Sequence, residues 1–221
     1  MKPWEKLDEV TTRGGNVLTL WRRAHEYAIR LDGAELMTSK RTGSEEEMSR
    51  LALEALGRQA ERVLVGGLGM GFTLRAVLDL SGAATRVVVS ELTGEVVKWN
   101  RGVLAPLAGA PLDDRRVAVD TRDVAEVIRD ARAHYDAILL DVDNGPEGLS
   151  EGNDRLYTVK GLDAASRALT PGGVLAIWSS GPARGFERRM RRAGYSVGIH
   201  TARSGGGKGA RHTIFVGKRK R

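Results

Sequence analysis

Glycines and an acidic residue beside two apolar runs are the residues best suited to hold a ligand. The segment "RVLVGGLGMGFTLR" places four glycines between a short apolar run and a helix-like segment: Gly66, Gly67, Gly69 and Gly71. Glycines at such a turn let a ligand approach the backbone closely, although a tight turn without a ligand has the same composition. Glu91 ends the next apolar run, 20 positions after Gly71, and an acid there can accept both ribose hydroxyls. The combination favours a nucleoside ligand.

The spacing of the glycines distinguishes between kinds of nucleoside. The dinucleotide fingerprint G-x-G-x-x-G would need glycine where Phe72 stands, and the chain has G-x-G-x-G instead. No Gly-Lys followed by Ser or Thr is present, so the turn is not a triphosphate-binding loop. Asp123 follows the third apolar run and either contacts an adenine amino group or caps a helix; both interpretations stay open. The turn with Glu91 and Asp123 fits an adenosyl thioether better than NAD.

The scaffold that would position these residues is an α/β sheet. Five apolar runs alternate with amphipathic segments: "RVLVG", "RVVVSE", "RRVAVD", "YDAILLDVD" and "GGVLAIWSS". This alternation predicts a doubly wound, mostly parallel sheet covered by helices on both faces, with ligands at the carboxyl ends of its strands. Two last strands, "YSVGIHTA" and "RHTIFVGK", are joined by the short, glycine-rich "RSGGGKGA". This short linker predicts an antiparallel pair.

The first 43 residues predict a small β-hairpin appendage, and residues 44–221 predict the Rossmann-like catalytic domain. Two β-like runs precede a turn at Asp32 and Gly33. The segment "GSEEEMSRLALEAL" then predicts a helix, in which Ser44 and Glu47 have the spacing of a capping box. We interpret its three glutamates as a helix start that complements the helix dipole, and not as catalytic groups.

Composition excludes several classes of protein. The chain has 221 residues and no cysteine, which excludes disulfides, thiolate metal sites and a cysteine nucleophile, and which fits the cytoplasm. The first ten residues lack the apolar core of a signal peptide, and no run of 18 apolar residues occurs, so we expect no membrane association. The four histidines have no zinc-ligand spacing, and we expect no metal.

Positive charge is concentrated at the end of the chain. Residues 182–221 contain twelve Lys and Arg residues and one acid, whereas the preceding residues contain more acids than bases. One interpretation is a solvated face with a frayed tail, and the other is a salt-dependent contact with RNA or DNA. The only aromatic residues near this charge are Phe186 and Tyr195, which argues against a dedicated reader of single strands.

Several segments resemble the spermidine synthase-like group of class I S-adenosylmethionine-dependent transferases. They are "VLVGGLGMGFTLRAVL", "VVVSELTGEVVKWNR", "YDAILLDVDNGP", "LYTVKGL" and "LTPGGVLAIWSS", with "DGAELMTS" and "GSEEEMSRLAL" upstream. The resemblance covers residues 32–180 and implies a seven-stranded sheet whose last strand is antiparallel. It also implies a donor pocket lined by Gly67, Gly69, Glu91, Asp123 and Asp141. The implied donor is S-adenosylmethionine or its decarboxylated form, and the implied acceptor is a small-molecule amine.

The implied reaction is a nucleophilic displacement at a carbon that is attached to a sulfonium sulfur. An amine acceptor must first lose a proton, and a carboxylate at the end of the fourth predicted strand would take it. Asp141 and Asp143 stand there, and strand alternation would put both on one side, although Asp, Asn and Gly are also common in turns. We assign Asp143 as the base and Asp141 as the residue that orients the substrate.

Two departures from the family pattern leave the transferred group open. Polyamine-forming members carry a motif like Asp-x-x-Asp-Pro at this turn; an ungapped alignment puts Asn144 in place of the second Asp, and a two-residue deletion would restore it as Asp143. Their glycine turn also carries an Asp for the donor's amine, where this chain has Gly69. Aminopropyl transfer and methyl transfer are therefore both kept as hypotheses for the reaction. Further alternatives are a nucleic-acid methyltransferase, a non-catalytic nucleic-acid-binding protein with the same fold and, for assembly, a homodimer.

Overall fold

The chain folds into two compact units, Met1–Thr42 and Gly43–Arg221. The structure is a computed structural model that describes residues 2–40, 42–142, 145–146, 154–205 and 209–220. Within this part of the chain, no helix is long and apolar enough to cross a membrane.

The first unit is a four-stranded antiparallel sheet with its strands in chain order. Its strands are β1 (Glu5–Thr11), β2 (Val17–Arg23), β3 (Glu26–Leu31) and β4 (Ala34–Thr38). The two predicted β-like runs correspond to β2 and β3, and the predicted turn at Asp32 and Gly33 is the β3–β4 connection; all of them belong to a sheet larger than a hairpin. The sequence EKLDEVT did not indicate β1 because the strand is mostly exposed and charged, so it shows no apolar alternation.

The second unit is built on a seven-stranded sheet. The strands are β5 (Arg62–Gly66), β6 (Arg86–Ser90), β7 (Val117–Asp120), β8 (Tyr135–Leu140), β9 (Leu169–Ser179), β10 (Tyr195–Arg203) and β11 (Arg211–Arg219). Their order is β10-β11-β9-β8-β5-β6-β7, with five parallel strands and β11 antiparallel to both of its neighbours. This confirms the predicted fold class, including the antiparallel last strand. Strands β5 and β8 form its centre because VLV and YDAILL are buried throughout.

Helices alternate with these strands as the sequence predicted. They are α1 (Gly43–Leu56), α2 (Phe72–Leu80), α3 (Gly94–Arg101), α4 (Val124–Asp130), α5 (Asp154–Tyr157), α6 (Val159–Ala168) and α7 (Phe186–Arg192), with two short 3₁₀ helices at Ala105–Ala108 and Pro111–Asp113. A large apolar cluster under α4, α6 and α7 includes Ile138, Leu162, Phe186 and Phe215.

The start of α1 differs from the prediction. The helix begins at Gly43, so Ser44 lies inside the first turn, where its hydroxyl donates to the carboxylate of Glu45 at 2.6 Å. Glu47 forms an ion pair with Arg50 at 2.7 Å. The predicted capping box is therefore wrong, because both of its side chains bond within the helix and not to the backbone at its start.

Candidate functional site

Three of the predicted site residues meet where β5, β6 and β8 end. Parallel pairing sets Gly66 beside Ser90 on one side and beside Leu140 on the other. The next residue of each strand therefore leaves the sheet at one edge. These residues are Gly67, Glu91 and Asp141.

Gly67 stands at the closest approach between two of these strand ends. Its φ is +91°, and a Cβ added there would lie 2.2 Å from the carbonyl oxygen of Asp141. Its amide donates to the carbonyl of Ser90 at 2.9 Å. Any side chain at this position would push β5 and β8 apart, which accounts for a glycine here without reference to a ligand.

The carboxylate of Glu91 ties the glycine turn to the end of β6. One oxygen accepts the backbone N–H of Leu68 at 3.0 Å, and the other accepts that of Thr93 at 2.8 Å. The side chain is half-buried. A carboxylate oxygen accepts more than one hydrogen bond, so these two bonds are compatible with binding of ribose hydroxyls.

The buried side chain of Asn100 also holds the turn, and sequence reasoning did not identify it. Its amide nitrogen donates to the carbonyl of Gly69 at 2.8 Å and to that of Val96 at 2.9 Å. A Cβ added at Gly71, where φ is +84°, would lie 3.1 Å from its amide oxygen. Nothing in "KWNR" marks this asparagine, because its contacts depend on how α3 packs against the turn.

Asp141 lies directly after β8, and the residue is half-buried. The hydroxyl of Thr73, in the first turn of α2, donates to it at 2.6 Å. Burial raises the pKa of Asp141, and the Thr73 hydrogen bond opposes this only in part. Asp143, the predicted base, lies outside the described residues.

Glu45 is a second acid beside Asp141. Burial, followed by the charge of Asp141, raises the pKa of Glu45 to about 7, while the hydrogen bond from Ser44 acts in the opposite direction. The sequence pattern predicted a single helix start for the three glutamates of this segment. Their exposures differ, however: Glu46 is exposed, whereas Glu45 is half-buried.

Asp123 caps α4, as one of its two interpretations predicted. One carboxylate oxygen accepts the amide of Ala125 at 2.8 Å, and the other forms an ion pair with Arg155. The cap does not test the other interpretation, an adenine contact, which stays a prediction.

A cavity of about 500 Å³ lies elsewhere, where α2 ends and β7 begins. Its lining includes Arg75, Asp114 and Arg116, and Arg116 forms a 2.7 Å ion pair with Asp114. The parallel strands begin at this edge of the sheet, opposite the glycine turn. Arg75 pairs with Asp79 there as Arg116 does with Asp114, and ligands of such sheets bind at the other edge, so we do not regard this cavity as the functional site.

Several cations of the basic C-terminal end have partners within the protein. Arg191 forms an ion pair with Glu187 at 2.6 Å, and Lys218 donates to the carbonyl of Ala55 at 2.8 Å. Arg219 donates to the carbonyl of Leu169. Part of the charge thus supports local structure, and nucleic-acid binding stays a prediction. No group of three or more His, Cys, Asp or Glu side chains in the described ranges could hold a metal ion.

Comparison with known proteins gives one consistent family. The model of the spermine/spermidine synthase domain matches residues 42–183. A polyamine aminopropyltransferase of Mycobacterium tuberculosis is 30% identical over 189 residues, covering 81% of this chain and 35% of that protein. Polyamine aminopropyltransferase 1 of Streptomyces coelicolor is 33% identical over 130 residues, covering 58% of this chain and 24% of that protein. The chain therefore spans about a quarter to a third of the length of these two relatives.

Solved structures agree on the fold. Spermidine synthase from Thermotoga maritima superposes with a TM-score of 0.80 at 18% identity, covering 97% of this chain and 72% of that one. A spermidine synthase in complex with the transition-state analogue AdoDATO gives a TM-score of 0.78 at 19% identity, with the same coverage.

Proposed function

Because the chain belongs to the spermine/spermidine synthase family, we propose that it is an aminopropyltransferase. Its donor is decarboxylated S-adenosylmethionine, and its acceptor is a primary amine of a polyamine such as putrescine or spermidine. The observation that carries this proposal is the junction of Gly67, Glu91 and Asp141 at one edge of the sheet. Ligands of open α/β sheets bind at this edge.

The nucleoside part of the donor binds along the glycine turn. Close packing leaves Gly66 and Gly67 without room for a side chain, and the backbone of Gly69 and Gly71 is fixed by Asn100 and the start of α2. We assign the ribose hydroxyls to Glu91, at the end of β6, and the contact with the adenine to Asp123. In this arrangement the donor's sulfonium lies toward the end of β8.

The reaction is a direct displacement at the carbon attached to sulfur. The acceptor nitrogen donates its lone pair to that carbon, the carbon–sulfur bond breaks, and its electrons convert the sulfonium to a neutral thioether. The acceptor is an ammonium at neutral pH, so its proton must pass to a base first. We assign this role to Asp143 on the sequence argument, with Asp141 orienting the substrate. The donor is already activated, so alignment supplies much of the remaining acceleration.

Product analysis tests this proposal against methyl transfer. The protein is incubated with putrescine or spermidine and either decarboxylated S-adenosylmethionine or S-adenosylmethionine, and the products are identified by mass spectrometry. We expect the next longer polyamine and methylthioadenosine, from the decarboxylated donor only. Methylated amine from S-adenosylmethionine would instead support a methyltransferase. Binding of methylthioadenosine without reaction of either donor would support a non-catalytic protein.

A further inference from the structure

The buried face of α1 includes an acidic residue, Glu45, in the first turn of the helix. Met48, Ser49 and Ala52 are buried, and they lie three, four and seven residues after Glu45. Residues at these spacings share one face of a helix. Glu45 therefore points in the same direction as the buried side chains, whereas its neighbour Glu46 is exposed.

Hydrogen bonds connect this face to Asp141. The hydroxyl of Ser49 donates to the carbonyl of Glu45 at 2.9 Å and lies 3.4 Å from the carbonyl of Thr73. The hydroxyl of Thr73 donates to Asp141 at 2.6 Å. The first turns of α1 and α2 and the end of β8 thus meet, and the two carboxyl groups lie close enough for the charge of Asp141 to act on Glu45.

The side-chain contacts of Glu45 and Asp141 within the described part of the chain come from hydroxyl groups. Among the described residues, no Lys, Arg or His forms an ion pair with Glu45 or Asp141, and the hydroxyls of Ser44 and Thr73 are the polar side chains that bond to them. Two neighbouring carboxyl groups that are half-buried and lack a cation are unfavourable, and a cationic ligand would relieve this. The glycine turn itself, residues 66–71, has no acidic side chain.

We propose that Glu45 is the specificity residue of the donor site, which together with Asp141 holds the ammonium of the aminopropyl chain and repels the carboxylate of ordinary S-adenosylmethionine. This inference rests on the proposed function. The two donors differ by one carboxylate, which would lie beside two acidic side chains that have no ion pair with a described residue. Discrimination between aminopropyl and methyl transfer then depends on α1 as well as on the glycine turn.

The test compares three ligands on Glu45→Gln, an uncharged side chain of nearly the same shape. Calorimetry measures the affinity for decarboxylated S-adenosylmethionine, S-adenosylmethionine and methylthioadenosine, which has neither ammonium nor carboxylate. Glu45→Gln should weaken binding of the decarboxylated donor about tenfold or more, as loss of a charge-assisted hydrogen bond does. Affinity for methylthioadenosine should stay within about twofold, since its contacts do not involve this carboxyl. The preference for the decarboxylated donor should fall accordingly.

The matched control is Glu54→Gln. Glu54 lies on the same helix with its side chain 60% exposed and paired with Arg50, so the substitution removes the same charge away from the site. Retained methylthioadenosine binding shows that each variant is folded. An unchanged donor preference in Glu45→Gln would overturn the inference, as would tighter binding of ordinary S-adenosylmethionine by the unmodified protein. If the unmodified protein forms no polyamine although Glu45→Gln shows the expected shift, the proposed function fails and the donor selection stands.

Discussion

Two aspartates at opposite ends of β8 have opposite surroundings. Asp136 is the second residue of the strand and is 4% exposed, and Asp141 follows its last residue. Asp136 accepts hydrogen bonds from the guanidinium of Arg58 at 2.5 Å, the amides of Glu61 and Arg62 at 2.7 and 3.0 Å, and the hydroxyl of Thr170 at 3.0 Å. Asp141 has the hydroxyl of Thr73 and, among the described residues, no ion pair.

Their pKa values diverge accordingly. Burial would raise the pKa of Asp136, but its hydrogen bonds, that of Arg58 foremost, outweigh burial and lower it. Burial raises the pKa of Asp141, and one hydroxyl does not compensate. An acid whose charge is satisfied by its own protein stabilises the fold, whereas an acid left without a cation is suited to a ligand. On the proposed function, β8 thus has a structural end at Asp136 and a functional end at Asp141.

The largest effect should come from the functional end, at Asp143. Asp143→Asn should lower kcat by about 10²–10⁴, the usual contribution of a general base, with donor affinity changed by less than about twofold. Steady-state kinetics with decarboxylated S-adenosylmethionine and putrescine, together with calorimetric donor binding, measure the two quantities. Asp141→Asn should reduce both. Full turnover by Asp143→Asn would exclude it as the base.

Substitution at the structural end of β8, at Asp136, should reduce the stability of the fold more than substitution at Asp141. Asp136→Ala leaves the amides of Glu61 and Arg62 and the hydroxyl of Thr170 without their acceptor, and it should lower the free energy of unfolding by about 2–4 kcal/mol. Asp141→Ala should cost less than about 1 kcal/mol, because it also removes a half-buried acid whose charged form is disfavoured. Urea unfolding of both variants measures the difference. Equal losses would show that the two ends of β8 do not differ as described.

Donor binding gives a smaller contrast between the two edges of the sheet. Glu91→Ala should weaken methylthioadenosine binding by about 1.5–3 kcal/mol, because it removes a charged hydrogen-bond acceptor. It also leaves the amide of Leu68, in the glycine turn, without its acceptor. Glu61→Ala removes an exposed acid at the opposite edge, before β5, and should leave the affinity unchanged. Calorimetry on both variants provides the measurement, and equal affinities would place the nucleoside elsewhere.

The smallest effect concerns pH and Glu45. Burial, followed by the charge of Asp141, raises its pKa to about 7 in the folded protein from the ordinary 4.5, with Ser44 and Glu46 as the other side chains that act on it. Between these values the folded protein binds the additional proton, so stability falls as pH rises from about 4.5 to about 7. The melting temperature of the unmodified protein should therefore fall over this pH range, and Glu45→Gln should make the fall smaller. A slope identical to that of the unmodified protein would show that Glu45 titrates normally.

The sequence predicted the sheet because its central strands are buried on both sides and appear as uninterrupted apolar runs. Gly67, Glu91 and Asp141 could be found for a related reason, since residues that end parallel strands meet at one edge. Glu45 and Asn100 could not be found this way. Each is a polar residue in a helix, and only the packing of α1 and α3 shows which face is buried. Strand β1 was missed because its exposed, charged residues leave no periodic signal.

The bond between Glu91 and the amide of Leu68 has a consequence for binding kinetics. The protein makes this bond by itself, so the turn is organised before any ligand arrives, and a ligand does not lose affinity to the ordering of this loop. Association should accordingly be limited by diffusion and orientation and not by loop closure. Hydrogen exchange at the Leu68 amide should be slow without ligand, and Glu91→Ala should make it fast.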